Sequence, residues 1–355
     1  MKMCLSALTF LAAIVLLIGS ARADTFGTGA NQFTLDFVPI SGSSNPTEAQ
    51  ANDASRSLDG HGIVEYDYRM GVHEITNDQW NKFVASYGMP TGNPSSAYNG
   101  SPFGTTDVPT NYVSWYEAAQ FVNWLNTSTG HQPAYKFTGT QGHSYYTFVT
   151  WGPAEAWSGT NPYRHKDAFY FLPDRDEWFK AAYWNGANIQ DRATKASDTL
   201  HQGDGSSGTG WNYYDSENGG YATDSEGMWD VGSGSEELNG THDMMGNIAE
   251  WLESSAWGEP SPGQSRVVRG GNYRGSSYEF NAEEDGASAT PNSETYWIGF
   301  RVASVAAPVP EPSTFALLAM AAVGLAVVWW RRRSAFSATS SPELAEPARP
   351  LPLTR

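Results

Sequence analysis

Three short helices that share one start signal constrain the fold of this chain more than any other feature. Each signal is a capping residue followed three positions later by an acid or an amide: Thr76 with Gln79, Ser114 with Glu117, and Asp174 with Glu177. In such a capping box, the two side chains satisfy backbone N–H groups that the start of a helix leaves without partners. Apolar residues at helical spacing follow the signals, and we assign them to the core: Trp80, Phe83, Val84, Tyr87, Ala118, Phe121, Val122, Leu125, Trp178, Ala181 and Ala182.

The rest of the chain lacks long periodic segments. It contains 36 glycines, and aromatic residues make up 14% of the sequence. Glycine favours turns and loops, whereas large rings bury much apolar area per residue. The absence of a repeat of fixed period speaks against a solenoid or a propeller. The sequence therefore predicts an α+β domain that is rich in irregular loops and held together by buried rings.

The N-terminal segment has the features of a signal peptide. Lys2 gives a positive start, an apolar stretch runs to Ile18, and small residues at Ala21 and Ala23 favour cleavage before Asp24. Residues 1–23 are therefore predicted to be removed. They include Cys4, the one cysteine of the chain. The mature protein would then have no disulfide, no thiolate nucleophile and no sulfur ligand for a metal.

The C-terminal segment has three consecutive parts. They are the triplet Pro310, Glu311 and Pro312, an apolar stretch at 315–330, and the cluster Arg331, Arg332 and Arg333. Sixteen residues form a helix of ~24 Å, which barely spans a hydrocarbon core of ~30 Å. The arginines favour a cytoplasmic end, so residues 334–355 are predicted to be a cytoplasmic tail.

This three-part order at residues 308–333 resembles the PEP-CTERM sorting signal. The resemblance implies processing by an exosortase, with a membrane-anchored intermediate and a final location at the cell surface or outside the cell. An ordinary C-terminal membrane anchor is the alternative reading.

The predicted domain, residues 24–307, is strongly acidic. The whole chain has a formal net charge of −17, with 38 acidic and 21 basic residues. Such a surface repels phosphate backbones, so we do not expect nucleic-acid binding. An acidic exported protein gains solubility and attracts divalent cations.

Six sequence blocks, in order, resemble the formylglycine-generating enzyme family, also called the sulfatase-modifying factor family. The blocks are residues 74–77, 113–119, 172–178, 243–251, 266–273 and 298–303. The resemblance runs from about Phe33 to Ala303. It implies the formylglycine-generating enzyme fold, a variant of the C-type lectin-like fold with a small twisted antiparallel sheet, a few helices and long ordered loops.

The block at 243–251 is a candidate calcium site. It has a carboxylate near each end and a glycine that allows a tight turn, so its oxygens could face one centre. The resemblance implies ligation by the side chains of Asp243 and Glu250 and by the carbonyls of Gly246 and Ile248. In the alternative reading, Glu250 and Asn247 only hydrogen-bond the loop backbone.

The resemblance implies a second, weaker calcium site. Its residues would be Asn212, Tyr213, Glu226 and Met228. The family has Asp where this chain has Glu226, and an aromatic residue where it has Met228. Because an added methylene group moves a carboxylate within a rigid cage, these departures put the site in doubt.

The chain departs from the family at the catalytic positions. The family oxidises a cysteine of a client sulfatase with two cysteines of its own, and these align with Gly275 and Phe280. Neither residue can bind copper or carry a thiol, so no copper is expected. Arg269 is interpreted as a structural charge paired with a carboxylate.

Two classes of function stay open. The favoured one is a non-catalytic, calcium-stabilised domain outside the cell that binds a glycan, such as an exopolysaccharide, or an extracellular protein. The alternative is a metal-dependent oxidoreductase related to formylglycine-generating enzyme or to non-heme iron sulfoxide synthases. The seven histidines show no paired ligand spacing, and no nucleophile elbow or phosphate loop is present. A glycosidase function also stays open, although no pattern in the sequence supports it.

Overall fold

The computed structural model describes residues 22–306, except 57, 91–103, 218 and 224–226. The helices are α1 (Glu48–Ala51), α2 (Asn77–Tyr87), α3 (Trp115–Ser128) and α4 (Arg175–Tyr183). The strands are β1 (Arg22–Phe26), β2 (Phe33–Ile40), β3 (Tyr68–Gly71), β4 (Lys136–Thr138), β5 (Thr147–Val149), β6 (Tyr170–Phe171), β7 (Tyr214–Asp215), β8 (Gly220–Tyr221), β9 (Ala249–Ser255), β10 (Arg266–Arg269), β11 (Ala287–Ala289), β12 (Ile298–Gly299) and β13 (Ala303–Val305). Short 3-10 turns occur at Gly29–Asn31, Ala54–Arg56 and Ser277–Phe280.

The three predicted helices are present, and each begins with the predicted capping box. Thr76, Ser114 and Asp174 are the N-cap residues of α2, α3 and α4, and both reciprocal hydrogen bonds form in each case. The sequence analysis missed a fourth box, in which Thr47 caps the single turn of α1 through Gln50. The apolar stripe that follows this box is too short to give a helical period.

Two sheets form the framework of the domain. One has five antiparallel strands in the order β1-β2-β3-β13-β6, and the other has four strands in the order β11-β10-β9-β12. Within the second sheet, β12 runs parallel to β9. Strands β4 and β5 form one small hairpin, and β7 and β8 form another. The chain passes directly from β12 into β13 and so joins the two sheets.

Aromatic rings fill the core between these elements. Trp80 and Phe83 of α2 pack against Phe121 of α3, with ring centroids 6.0 and 5.1 Å away. Phe300, in the link between the two sheets, contacts the Phe121 ring at 5.3 Å. A second cluster surrounds Trp178 on α4, which is fully buried. The prediction of a loop-rich α+β domain with buried rings is confirmed.

The predicted cleavage point before Asp24 lies inside β1. The Asp24 carboxylate accepts hydrogen bonds from Arg69 at 2.5 Å and from the Tyr170 hydroxyl at 2.9 Å. Cleavage at this point would make Asp24 the first residue of the mature protein. Its hydrogen bonds to Arg69 and Tyr170 would hold it in the sheet. Residues 1–21 lie outside the described part of the chain.

Among the described residues, no helix has the length and apolar character needed to cross a bilayer. The predicted membrane segment 315–330 and the sorting residues around it lie outside the described part of the chain.

The α3 capping box gives a test of how strongly these signals stabilise the fold. Ser114 is fully buried, and its hydroxyl donates to a Glu117 carboxylate oxygen at 2.8 Å. Ser114→Ala should lower the free energy of unfolding by about 1 kcal/mol, because it removes a cap. Urea denaturation measures this change, with Ser128→Ala at the exposed end of the same helix as the control. Equal effects of the two substitutions would contradict the prediction.

Candidate functional site

The loop before β9 contains the first candidate calcium site. Three of its residues have left-handed backbone conformations: Asp243 at φ 59°, Gly246 at 86° and Asn247 at 55°. A Cβ atom on Gly246 would lie 2.2 Å from the carbonyl oxygen of Asn212, so only glycine fits there. These conformations turn the loop tightly and bring Asp243 and Glu250 to the buried interior.

Glu250 forms a buried ion pair with Arg301. The Nε atom of Arg301 lies 2.8 Å from both Glu250 oxygens, and its Nη2 atom lies 2.6 Å from Oε1. The indole nitrogen of Trp178 donates to Oε2 at 2.7 Å. All three side chains are fully buried. Both Glu250 oxygens thus accept from Arg301, and Oε2 also accepts from Trp178, so a calcium ion would compete with Arg301 for this carboxylate.

Asp243 lies in a different environment. Its Oδ2 atom accepts a hydrogen bond from the Gly232 N–H at 2.8 Å, and its carboxyl group is hydrogen-bonded to that of Glu74. Burial and the neighbouring Asp243 raise the pKa of Glu74 well above its usual value. Burial also raises the pKa of Glu237, to about 8. Because two carboxylates repel each other, the Glu74–Asp243 contact requires a proton or a cation between them.

The first site therefore fits calcium only in part. Asp243 and Glu74 supply buried carboxyl oxygens, the kind of ligand that a hard cation prefers, at a contact that needs a proton or a cation. Glu250 does not offer a free oxygen, because Arg301 and Trp178 occupy both. Ile248 has a fully buried side chain in this loop. Within the described residues, no three His, Cys, Asp or Glu side chains are grouped so that they could hold a metal ion. Calcium binding stays a prediction.

The residues of the second candidate site are only partly described. The Asn212 amide donates to the Gly227 carbonyl at 3.0 Å, and the Tyr213 carbonyl accepts from Gln202 at 2.6 Å. The sulfur of Met228 accepts a contact from Asn111 at 3.6 Å. Glu226 lies outside the described residues. This site also stays a prediction.

The resemblance assigns the family cysteines to Gly275, just before the 3-10 turn at Ser277–Phe280, and to Phe280, the last residue of that turn. A Cβ atom on Gly275 would lie 2.3 and 2.6 Å from the carboxylate oxygens of Glu279. The Glu279 carboxylate therefore fills the space that a side chain at 275 would take. Phe280 is fully buried, and its ring meets the Tyr213 ring edge-on at 5.3 Å. The side chain at 280 thus belongs to the core.

A groove of about 250 Å³ lies beside this turn, and we call it the Arg269 groove. Its lining includes Arg269, Tyr278, Glu279 and Trp297. The Arg269 guanidinium lies over the Trp178 ring at 5.2 Å and donates to the Glu284 backbone carbonyl. The expected carboxylate partner of Arg269 is thus replaced by a ring and a carbonyl oxygen.

The sequence analysis missed a second buried ionic cluster. Arg164 donates from Nη1 and Nη2 to the two oxygens of Glu177, both at 2.8 Å, and from Nε to Glu253 at 3.1 Å. Asp174 lies 3.7 Å from the same guanidinium. Burial and the adjacent Glu177 raise the pKa of Asp174. The capping-box acids of α4 were visible in the sequence, but no sequence signal pointed to Arg164.

The two linked sheets, the capped helices and the Glu250–Arg301 pair define an α+β domain of the formylglycine-generating enzyme fold. The chain belongs to the sulfatase-modifying factor enzyme 1-like domain family, whose model matches residues 35–306. A model of the PEP-CTERM protein-sorting motif matches residues 308–333. That motif indicates export with a membrane-anchored sorting intermediate and implies sorting by an exosortase.

Solved structures show the same fold. Treponema denticola variable protein 1 is similar at 21% identity and a TM-score of 0.52, over 80% of this chain and 99% of its own. CarF is similar at 19% identity and a TM-score of 0.53, over 77% of this chain and 99% of its own. At these identities, the likeness concerns the fold alone. No curated protein sequence matches the chain significantly.

Proposed function

We propose that the chain is an exported, surface-sorted binding domain of the family, that it lacks the family's oxidase chemistry, and that it binds an extracellular glycan or protein. The main support is that Gly275 and Phe280 stand at the positions that the resemblance assigns to the family's two catalytic cysteines. The exposed Glu279 carboxylate lies beside Gly275, within 2.3 Å of where a Cβ atom would lie. The buried Phe280 ring similarly takes a core position.

The absence of thiols gives the first functional test. The purified protein should not convert a sulfatase-type cysteine peptide to formylglycine, with or without added copper, because neither Gly275 nor Phe280 can supply a thiolate. Mass spectrometry of the peptide detects the aldehyde. A cysteine-containing enzyme of the family, assayed on the same peptide, serves as the positive control. Aldehyde above the level of a no-protein control would contradict the proposal that the chain lacks the family's oxidase chemistry.

The sorting signal gives a test in cells. Truncation after Ala307 should turn a cell-associated protein into a freely secreted one, because the apolar stretch and the arginines are lost. Replacing Pro310 and Pro312 together by alanine should block exosortase processing but leave export intact. Fractionation and immunoblotting measure both results. A truncated protein that stays bound to cells would refute the sorting part of the proposal.

We also propose calcium as a structural ion beside Asp243. The support is the pair formed by Asp243 and Glu74, two buried carboxyl groups that need a proton or a cation between them. A calcium ion there would replace the proton and leave the Glu250–Arg301 pair in place. The predicted ligand role of Glu250 would then require Arg301 to move away.

Chelation tests this ion. If calcium binds the folded protein alone, calcium at ~100 times its dissociation constant should stabilise the fold by about 2.7 kcal/mol relative to chelator. Asp243→Asn should abolish that shift, and asparagine tolerates the left-handed backbone at this position. Glu236→Gln, at an exposed carboxylate paired with Lys195, is the matched control. Identical melting curves of the unaltered protein in calcium and in chelator would rule the ion out.

A further inference from the structure

A second cavity, which we call the acidic cleft, has a volume of about 380 Å³ and shares no lining residue with the Arg269 groove. Three parts of the chain form it: the loop from Trp157 to Tyr163, the start of α4, and the end of β9 with the loop that follows. Its volume falls within the ~300–1,000 Å³ typical of small-ligand pockets. The cleft is therefore large enough for a small ligand or for part of a polymer.

The charge of the cleft has one sign. Asp174, Asp176 and Glu259 are among its lining residues, and no lysine, arginine or histidine is. Arg164 lies directly behind Asp174, but its guanidinium is fully buried and already donates to Glu177 and Glu253. Its charge is therefore matched within the protein. Burial raises the pKa of Asp174, so the negative charge of the cleft rests on Asp176 and Glu259. One oxygen of Asp176 contacts His61 Nδ1 at 3.1 Å, and the remaining acidic lining favours a cation and repels a polyanion.

The walls of the cleft also suit a ring that carries hydroxyl groups. Trp157 is half-buried, and the Tyr66 ring fixes it edge-on at 5.1 Å. Asn161, Ser158 and Thr160 add neutral polar side chains. The Tyr163 hydroxyl is 2.6 Å from the Ser255 hydroxyl and is held in place by it. An aromatic side chain can cover the apolar face of a sugar, and fixed polar groups set its orientation.

We propose that the acidic cleft binds a saccharide that carries a primary amine, as a unit of a cationic glycan. The carboxylates of Asp176 and Glu259 take the ammonium group, and Trp157 packs against the sugar ring. This proposal rests on the proposed binding function and narrows it, because it selects a glycan over a protein and gives the glycan a charge. A neutral sugar would bring no cation to the two carboxylates, and an acidic sugar would be repelled.

Titration calorimetry of the purified full chain with a tetramer of glucosamine tests this proposal. The N-acetylated tetramer, which lacks the amine, should bind at least tenfold more weakly, because it cannot form a charge-assisted hydrogen bond. A peptide of four lysines, which has amines without the sugar ring, should also bind more weakly. Equal binding of the N-acetylated tetramer would overturn the role of the amine. Stronger binding of the lysine peptide would overturn the choice of a saccharide.

Two substitutions locate the site. Asp176→Asn should weaken binding of the glucosamine tetramer about tenfold and change the melting temperature only slightly, because asparagine keeps the oxygen that contacts the Gly62 N–H and His61 Nδ1, both at 3.1 Å. Asp167→Asn, at an exposed carboxylate that is not among the cleft-lining residues, is the matched control and should bind normally.

Equal affinities of the two variants would place the glycan elsewhere on the domain. That result would overturn the cleft assignment but keep the proposed function. Failure of both tetramers to bind the unaltered protein would also overturn the cleft assignment. A separate screen with acidic glycans, neutral glycans and extracellular proteins then tests the proposed function. The proposed function is overturned only if none of these ligands binds.

Discussion

The buried Arg301 guanidinium links the two sheets on which the rest of the domain is built. It lies between β12 and β13, pairs with Glu250 of β9, and donates to the carbonyls of Gly71 at the end of β3 and of His242. A buried charge is tolerated only when every donor has a partner, so these contacts depend on one another. Loss of one carboxylate would leave a buried cation unpaired and would loosen the loop that starts at Asp243.

The same principle recurs at Arg164, which joins α4 to β9 through Glu177 and Glu253. In both clusters, the carboxyl groups outnumber the guanidinium groups. Around Arg301, burial pushes the surplus acids toward their protonated forms, and around Arg164 the surplus lies next to a cleft. The calcium proposal and the glycan proposal both rest on such surplus carboxyl groups.

The 3-10 turn at Ser277–Phe280 is part of the packing of the domain. Phe280 fills the core next to the loop glycines, since its ring would lie 3.3 Å from a Cβ atom on Gly246 and 2.8 Å from one on Gly271. Glu279 covers Gly275 in the same turn. The side chains of Phe280 and Glu279 therefore pack against the glycines of neighbouring loops.

The sequence by itself determined the helix starts, because a capping box such as Ser114 with Glu117 acts within one turn. The helix signals, the glycines and the aromatic rings together also indicated a loop-rich α+β domain with buried rings. The sequence further placed Asp243 and Glu250 in one short segment. Only the tertiary structure decided what those carboxylates contact. Arg301 is 51 residues from Glu250 along the chain, and Arg164 is 89 residues from Glu253. Such partners come together only when the sheets and the core form. Local sequence patterns therefore cannot predict these ion pairs.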